Sequence, residues 1–149
     1  MKYIIMVNLC AALIKLHEAN IAHRDLKPKN IFFDTTTGFI TIIDFGSARC
    51  SDEEEVDQHP LADQNVSSSM WCAPEQEDSK LGKINKYSDI WTYGKLFEFI
   101  FKNDSNTLTD EISQKLKSRL MSPVPSKRKG ALEEFLKLLQ KTWEMKADV

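Results

Sequence analysis

Between Tyr87 and Phe101 the chain carries Ile90, Trp91, Tyr93, Leu96, Phe97, Phe99, Ile100 and Phe101. Wound as a helix, these side chains cover nearly every face. A helix that is apolar all round cannot lie on a surface and must be enclosed by other elements. The segment therefore predicts a helical domain with this helix at its centre. Asn85 or Ser88 is placed to cap its start, and Asn103 and Asp104 mark its end. The 149 residues suffice for such a core, since a chain of this length buries roughly 68–70% of the surface its unfolded form exposes.

The remaining segments supply what would enclose that helix. Ile5, Leu9, Leu13 and Leu16 recur at helical spacing, with Asn8, Ala12, Lys15 and Ala19 on another face, so the first sixteen or so residues read as an amphipathic helix buried on one side. Lys2 followed by Tyr3 to Val7 also resembles the start of a secretory signal. Asn8 and Lys15 interrupt that pattern, and the sequons at Asn65 and Asn103 would matter only in a secreted protein. From Ile21 to Asn30 the chain is polar and Pro28 opposes a long helix, which predicts a loop. Ile31–Phe33 and Phe39–Ile43, separated by Asp34, three threonines and Gly38, read as a hairpin.

No period is visible from Gly46 to Met70. Five carboxylates fall between Ser51 and Asp57, and serines 67 to 69 follow, so this segment is expected to be exposed and mobile. Thr109 is placed to cap a helix over Asp110–Met121. After the breaker at 122–125, a last helix over Gly130–Trp143 sets Leu132, Phe135, Leu136, Leu139 and Trp143 on one stripe. The expected fold is mainly α with a small β-hairpin, as one domain over residues 1–143 with a short tail at 144–149.

Charge excludes some functions. The formal net charge is -2 and the basic cluster Lys127, Arg128 and Lys129 is short, which argues against nucleic acid as a partner. The odd cysteines Cys10, Cys50 and Cys72 are too far apart for a short metal or redox pair. His17, His23 and His59 share no ligand spacing with them or with each other, so no zinc site is expected. With no convincing signal or membrane segment, an intracellular, cytoplasmic location is the expectation.

Three short motifs carry chemistry. His23-Arg24-Asp25-Leu26-Lys27-Pro28-Lys29-Asn30 satisfies all five specified positions of an H-R-D-L-x-x-x-N catalytic loop. Asp44-Phe45-Gly46 comes fourteen residues after Asn30, behind an apolar strand, and Ala73-Pro74-Glu75 follows. A lone aspartate in a loop is ordinarily a turn or a cap. Three motifs in the right order and spacing outweigh that reading, and the chain resembles the eukaryotic protein kinase family over about Ile4 to Gln140. Lys27 and Pro28 are similar to its serine/threonine branch.

The resemblance implies a kinase-like C-terminal lobe, a truncated α+β kinase fold. Phosphoryl transfer is mostly positioning and charge neutralisation around an in-line displacement. By resemblance, Asp25 orients the substrate hydroxyl and accepts its proton, and Lys27 neutralises the transferred phosphate of ATP. Asn30 and Asp44, oxygen donors suited to hard cations, hold magnesium against the phosphates. Asp89 matches the start of the family's central helix and would steady the catalytic loop. Arg128 falls where an arginine pairs with Glu75, the alternative being an exposed side chain. His17, His23 and Phe45 read as packing residues. Arg24 would pair with a phosphorylated activation segment, with Ser67, Ser68 or Ser69 as acceptor. The acidic run Asp52–Asp57 either substitutes for that phosphate in part or is a solvated loop.

The family's glycine-rich loop and lysine-bearing strand are not in these residues. Only 22 residues precede His23, and glycines 38, 46, 82, 94 and 130 form no G-x-G-x-x-G. ATP is thus expected to bind this chain alone very weakly. The short stretch from Phe101 to Thr109 leaves out a helix that the family uses for substrate docking, and the face around Phe45 should expose apolar surface. Three readings follow. One is an ATP-dependent protein serine/threonine kinase completed by an N-terminal lobe, acting on a protein substrate. The second is a noncatalytic kinase-like module that binds a regulating partner through the exposed face or the last helix. The third is a nonfunctional gene fragment.

Overall fold

A computed structural model of the chain describes residues 1–50, 70–104 and 110–147. The acidic run, serines 67 to 69, Asn65 and Thr109 lie outside the described residues. Five helices are described: α1 (Lys2–Glu18), α2 (Pro74–Glu77), α3 (Lys86–Phe101), α4 (Asp110–Lys115) and α5 (Ala131–Ala147). Four short strands accompany them: β1 (Ile21–Ala22), β2 (Ile31–Phe33), β3 (Ile40–Ile42) and β4 (Arg49–Cys50). The described chain is mainly helical with two small antiparallel pairs, β1 with β4 and β2 with β3.

Helix α3 is the central element, as its all-round apolar sequence predicts. Asn85 caps it, accepting the Tyr87 N–H, while Ser88 returns a bond to the Asn85 N–H in a capping box. Tyr93, Phe97 and Phe101 are buried, and the Phe135 ring of α5 meets Phe97 edge-on at 5.0 Å. Fully burying one such aromatic contributes about 1.5–3 kcal/mol. Phe99 is the exception on α3, half exposed and stacked edge-on against Trp71.

Helix α1 turns Met6, Leu9, Cys10 and Leu13 to the core, with Ile5 and Leu16 at the margin of the buried stripe rather than within it. Polar ties help fasten α1 to the helical body: the Tyr93 hydroxyl donates to the Met6 carbonyl and the Cys10 thiol to that of Leu132. Burial pushes the Cys10 thiol up to about 12, so it stays protonated and serves as a donor.

The last two helices depart from expectation. The segment expected as one helix over Asp110–Met121 is α-helical only to Lys115, then continues as a π turn over Leu116–Leu120. Leu116 and Leu120 of this turn are buried, and Leu120 closes on Gly94, where a Cβ would lie 3.1 Å from that of Leu120. Helix α5 continues to Ala147, past the boundary expected at 143. Trp143 is not on the buried stripe: its end of α5 has left the core, and its indole lies half exposed, stacked on Tyr3 at 5.0 Å.

Candidate active site

The site is built on the loop between β1 and β2. Two of its residues have a left-handed backbone, Arg24 (φ 70°) and Asp44 (φ 62°). Each such conformation costs about 1–3 kcal/mol outside glycine and persists only where surrounding bonds impose it. At Arg24 those bonds come from Asp89 at the start of α3. One carboxylate oxygen of Asp89 accepts the Arg24 N–H at 2.8 Å, and the other accepts the His23 N–H at 2.8 Å. Asp89 is 1% exposed, and its two bonds anchor the His23–Asn30 loop to the central helix, the position the resemblance implied for it.

Two further residues brace this loop, and the sequence reading passed over them. His17, expected only to pack, places Nε2 3.0 Å from the same Asp89 carboxylate. Gln76 of α2 donates to the Arg24 carbonyl at 2.9 Å, while its own side-chain oxygen accepts the Ala73 N–H. The Ala73-Pro74-Glu75 segment is thereby held against the loop. His23 does more than pack: its ring meets Phe45 edge-on at 4.9 Å, and Nε2 lies 2.9 Å from the Ile43 carbonyl.

Asp25, Lys27 and Asn30 come together. The Lys27 ammonium is 3.2 Å from the Asp25 carboxylate, both side chains about a quarter exposed. The Asn30 side-chain nitrogen donates to the Asp25 carbonyl at 2.8 Å and, more weakly, to the Asp25 carboxylate at 3.4 Å. This leaves the amide oxygen of Asn30 as the group available to a cation. Asp44 joins from the other strand, since the Ile43 N–H donates to the Asn30 carbonyl at 2.9 Å. Its exposed carboxylate accepts a long bond, 3.4 Å, from the Gly46 N–H. One amide oxygen and one carboxylate fit a hard cation that takes its other ligands from phosphates and water, as magnesium does. Among the described residues, no three His, Cys, Asp or Glu side chains gather as a metal cage.

Below the loop, Arg128 and Glu75 form a fully buried bidentate pair at 2.6 and 3.1 Å, so the exposed alternative for Arg128 is set aside. Ser88 donates to Glu75, and Arg128 also donates to the Ser122 and Tyr87 carbonyls. The residual valences of the buried charges are satisfied in this way, a condition for such a pair to be tolerated. Pairing of β1 with β4 sets Arg49 opposite Ala22, two positions before Arg24, a placement no local pattern announces. The Arg24 Nε donates to the Ser47 carbonyl, closing the loop against the segment after Asp44.

The face above these residues is apolar and open, as expected: Phe32 is 57% exposed and Phe39 72%, with Ile43 and Phe45 less so. Two grooves, of about 520 and 310 Å³, lie elsewhere, along α1 with the end of α3 and along α1 with α5.

A helical body around α3, a buried Glu75–Arg128 pair and a catalytic-type loop tied to Asp89 define a kinase-like C-terminal lobe. The family description of the protein kinase domain matches residues 2–148, and the chain belongs to the eukaryotic protein kinase family. It is similar to calcium-dependent protein kinase 6 of Plasmodium berghei, 32% identical over 136 residues, which is 90% of this chain and 8% of that protein. It is likewise similar to mitogen-activated protein kinase 4 of Rattus norvegicus, 29% identical over 146 residues, covering 95% of this chain and 52% of the relative. A probable serine/threonine-protein kinase of Corynebacterium efficiens is 35% identical over 97 residues, 64% of this chain and 14% of its own length. The chain therefore spans between 8 and 52% of these relatives. Among the described residues, no helix is long and apolar enough to cross a membrane.

Proposed function

We propose that this chain supplies the catalytic half of a protein serine/threonine kinase, transferring the γ-phosphate of ATP to a protein hydroxyl when a nucleotide-gripping lobe completes it. The observation that carries the reading is the single bonded loop joining Asp25, Lys27 and Asn30, with Asp44 fastened beside it through Ile43. Asp25 orients the substrate hydroxyl and takes its proton. Lys27, already within 3.2 Å of Asp25, supplies a positive charge for the phosphate in transfer. Asn30 and Asp44 are the residues that would hold magnesium, which when bound neutralises phosphate charge. The completing lobe must bring the glycine-rich loop and lysine-bearing strand, from the same polypeptide or another.

The second reading, a noncatalytic module that binds a regulating partner, is favoured by the exposed Phe32, Phe39, Ile43 and Phe45. Phosphotransfer by the protein purified from its source, with its intact mass measured, separates the two. The kinase reading expects activity and a loss of about 10²–10⁴-fold in Asp25→Asn, the range for removing a general acid or base. Full biological function in Asp25→Asn would leave the partner-binding module. For the 149-residue chain alone, calorimetry with Mg-ATP should give an affinity weaker than millimolar.

A further inference from the structure

We propose that Asn8, on α1, is a positioning residue: by holding the closed end of the β2–β3 hairpin, it sets the tilt at which the open end presents Asn30 and Asp44. The inference rests on the preceding assignment of that pair to magnesium. The Asn8 side-chain nitrogen donates to the Gly38 carbonyl at 2.7 Å, across thirty residues of chain. Asparagine is a weak helix former, so its place in the interior of α1 brings no helical advantage. Its contact lies in the hairpin.

The hairpin needs such a support. Its strands are three residues each, paired Ile31 with Ile42, Phe32 with Thr41 and Phe33 with Ile40. A two-stranded hairpin of this size is at best marginally stable by itself. Its inner face is only half-buried on the helical body, and its outer face is open at Phe32 and Thr41. Few bonds therefore fix its pose. At the open end, His23 Nε2 is 2.9 Å from the Ile43 carbonyl, and the Ile43 N–H reaches the Asn30 carbonyl. At the closed end, Asn8 holds Gly38. One attachment sets where the hairpin sits, and the second sets its angle.

The turn is stiff enough to pass that constraint along. Gly38 takes φ +76°, and its N–H donates to the Asp34 carbonyl at 2.7 Å, while the Asp34 N–H donates to the Phe39 carbonyl at 3.0 Å. The Asp34 carboxylate accepts the Thr36 and Thr37 N–H groups. A bond to Gly38 thus acts on both strands. Asn30 immediately precedes β2, and Asp44 follows β3 by two residues, so the spacing of the two cation donors depends on the hairpin's seating.

The test compares the 149-residue chain with Asn8→Ala, Asn8→Asp and Asn8→Gln by residue-resolved amide hydrogen exchange, and by paramagnetic broadening with Mn²⁺ as the probe. Alanine removes the donor, and aspartate keeps the shape without it. Both should speed exchange at Asp34 and Ile43 about fivefold, the scale of one net hydrogen bond, while amides inside α3 are unchanged. The Mn²⁺ dissociation constant should rise by up to about tenfold, the low end of what loss of an outer-shell support costs. Glutamine, which keeps the donor, should recover part of both effects. Unchanged exchange at Ile43 in Asn8→Ala, or an equal acceleration inside α3, overturns the proposal. Absence of Mn²⁺ broadening near Asn30 and Asp44 in the parent chain would end the metal assignment, leaving exchange alone to decide whether Asn8 seats the hairpin.

Discussion

Phe97 and Phe39 are the same residue type at opposite extremes: the first is fully enclosed by α3, α1 and α5, and the second is 72% exposed at the hairpin. The contrast extends to their surroundings. The helical body is held by a continuous apolar core and by a buried ion pair braced by Ser88, Ser122 and Tyr87. The hairpin and the His23–Asn30 loop reach that core only through Leu26 and the half-buried Ile31, Ile40 and Ile42, and they add point attachments from Asp89, His17, Gln76, His23 and Asn8. A packed core resists local change because many contacts must be lost together. A surface held by single bonds can be retuned one bond at a time. In this protein stability lies in the body, and the proposed chemistry lies where the support is sparse.

The largest test of that division is Arg128→Ala. It leaves the Glu75 carboxylate buried with Ser88 as its remaining donor, and breaking a buried pair in this way costs about 3–5 kcal/mol. Urea denaturation should show the midpoint falling sharply, with all amides of α3 losing protection together. If only the region around Ala73 to Glu77 loosened, the body would be less of a unit than its packing implies.

The two regions also differed in how far they could be read from the sequence. The hairpin showed as two short β-branched or aromatic runs about a turn, and periodicity found α1, α3 and α5 because a core imposes its spacing on whole helices. It misplaced Trp143, since a helical wheel records which side a residue is on and not whether the helix has outrun the body it packs against. It missed the π turn at Leu116–Leu120, a local register change at a segment whose Leu120 lies close to Gly94. At the candidate site, two motifs pointed to Asp25, Lys27 and Asn30 and to Asp44, which the fold brings near one another through Ile43. Of the bracing residues, Asp89 was legible by resemblance and the others were not. His17 meets Asp89 across 72 positions, Gln76 meets Arg24 across 52 and Asn8 meets Gly38 across 30, and no local pattern encodes such long-range polar contacts.

A smaller loss is expected for Gly94→Ala. The added methyl carbon would meet Met121 Cγ at 2.7 Å and Leu120 Cβ at 3.1 Å. Met121 can swing aside, but Leu120 is anchored in the core, and overpacking of this kind costs about 1–3 kcal/mol. Thermal unfolding measures it. Phe39→Ser should come next, changing stability by no more than about 0.5 kcal/mol, as for exposed positions generally. It should nonetheless lower binding of an apolar dye, because it removes part of the open face. A large stability loss there would mean the hairpin is seated by its outer ring, contrary to the comparison.

The smallest effect belongs to the turn. Hydrogen bonds from the Thr36 backbone, then from Thr37, hold the Asp34 carboxyl below its ordinary range, although the group is fully exposed. A folded-state pKa that is depressed contributes order above the unfolded value and loses it as pH falls through the folded value. The Thr36 and Thr37 amide resonances should therefore shift in acid, below about pH 4, the ordinary aspartate range, while resonances of α3 stay in place. Because the Gly38 carbonyl held by Asn8 sits in the same turn, the Asp34→Asn variant should remove this pH response and keep the clasp. If the α3 resonances moved together with those of Thr36, the hairpin would be coupled to the core far more tightly than its few attachments allow.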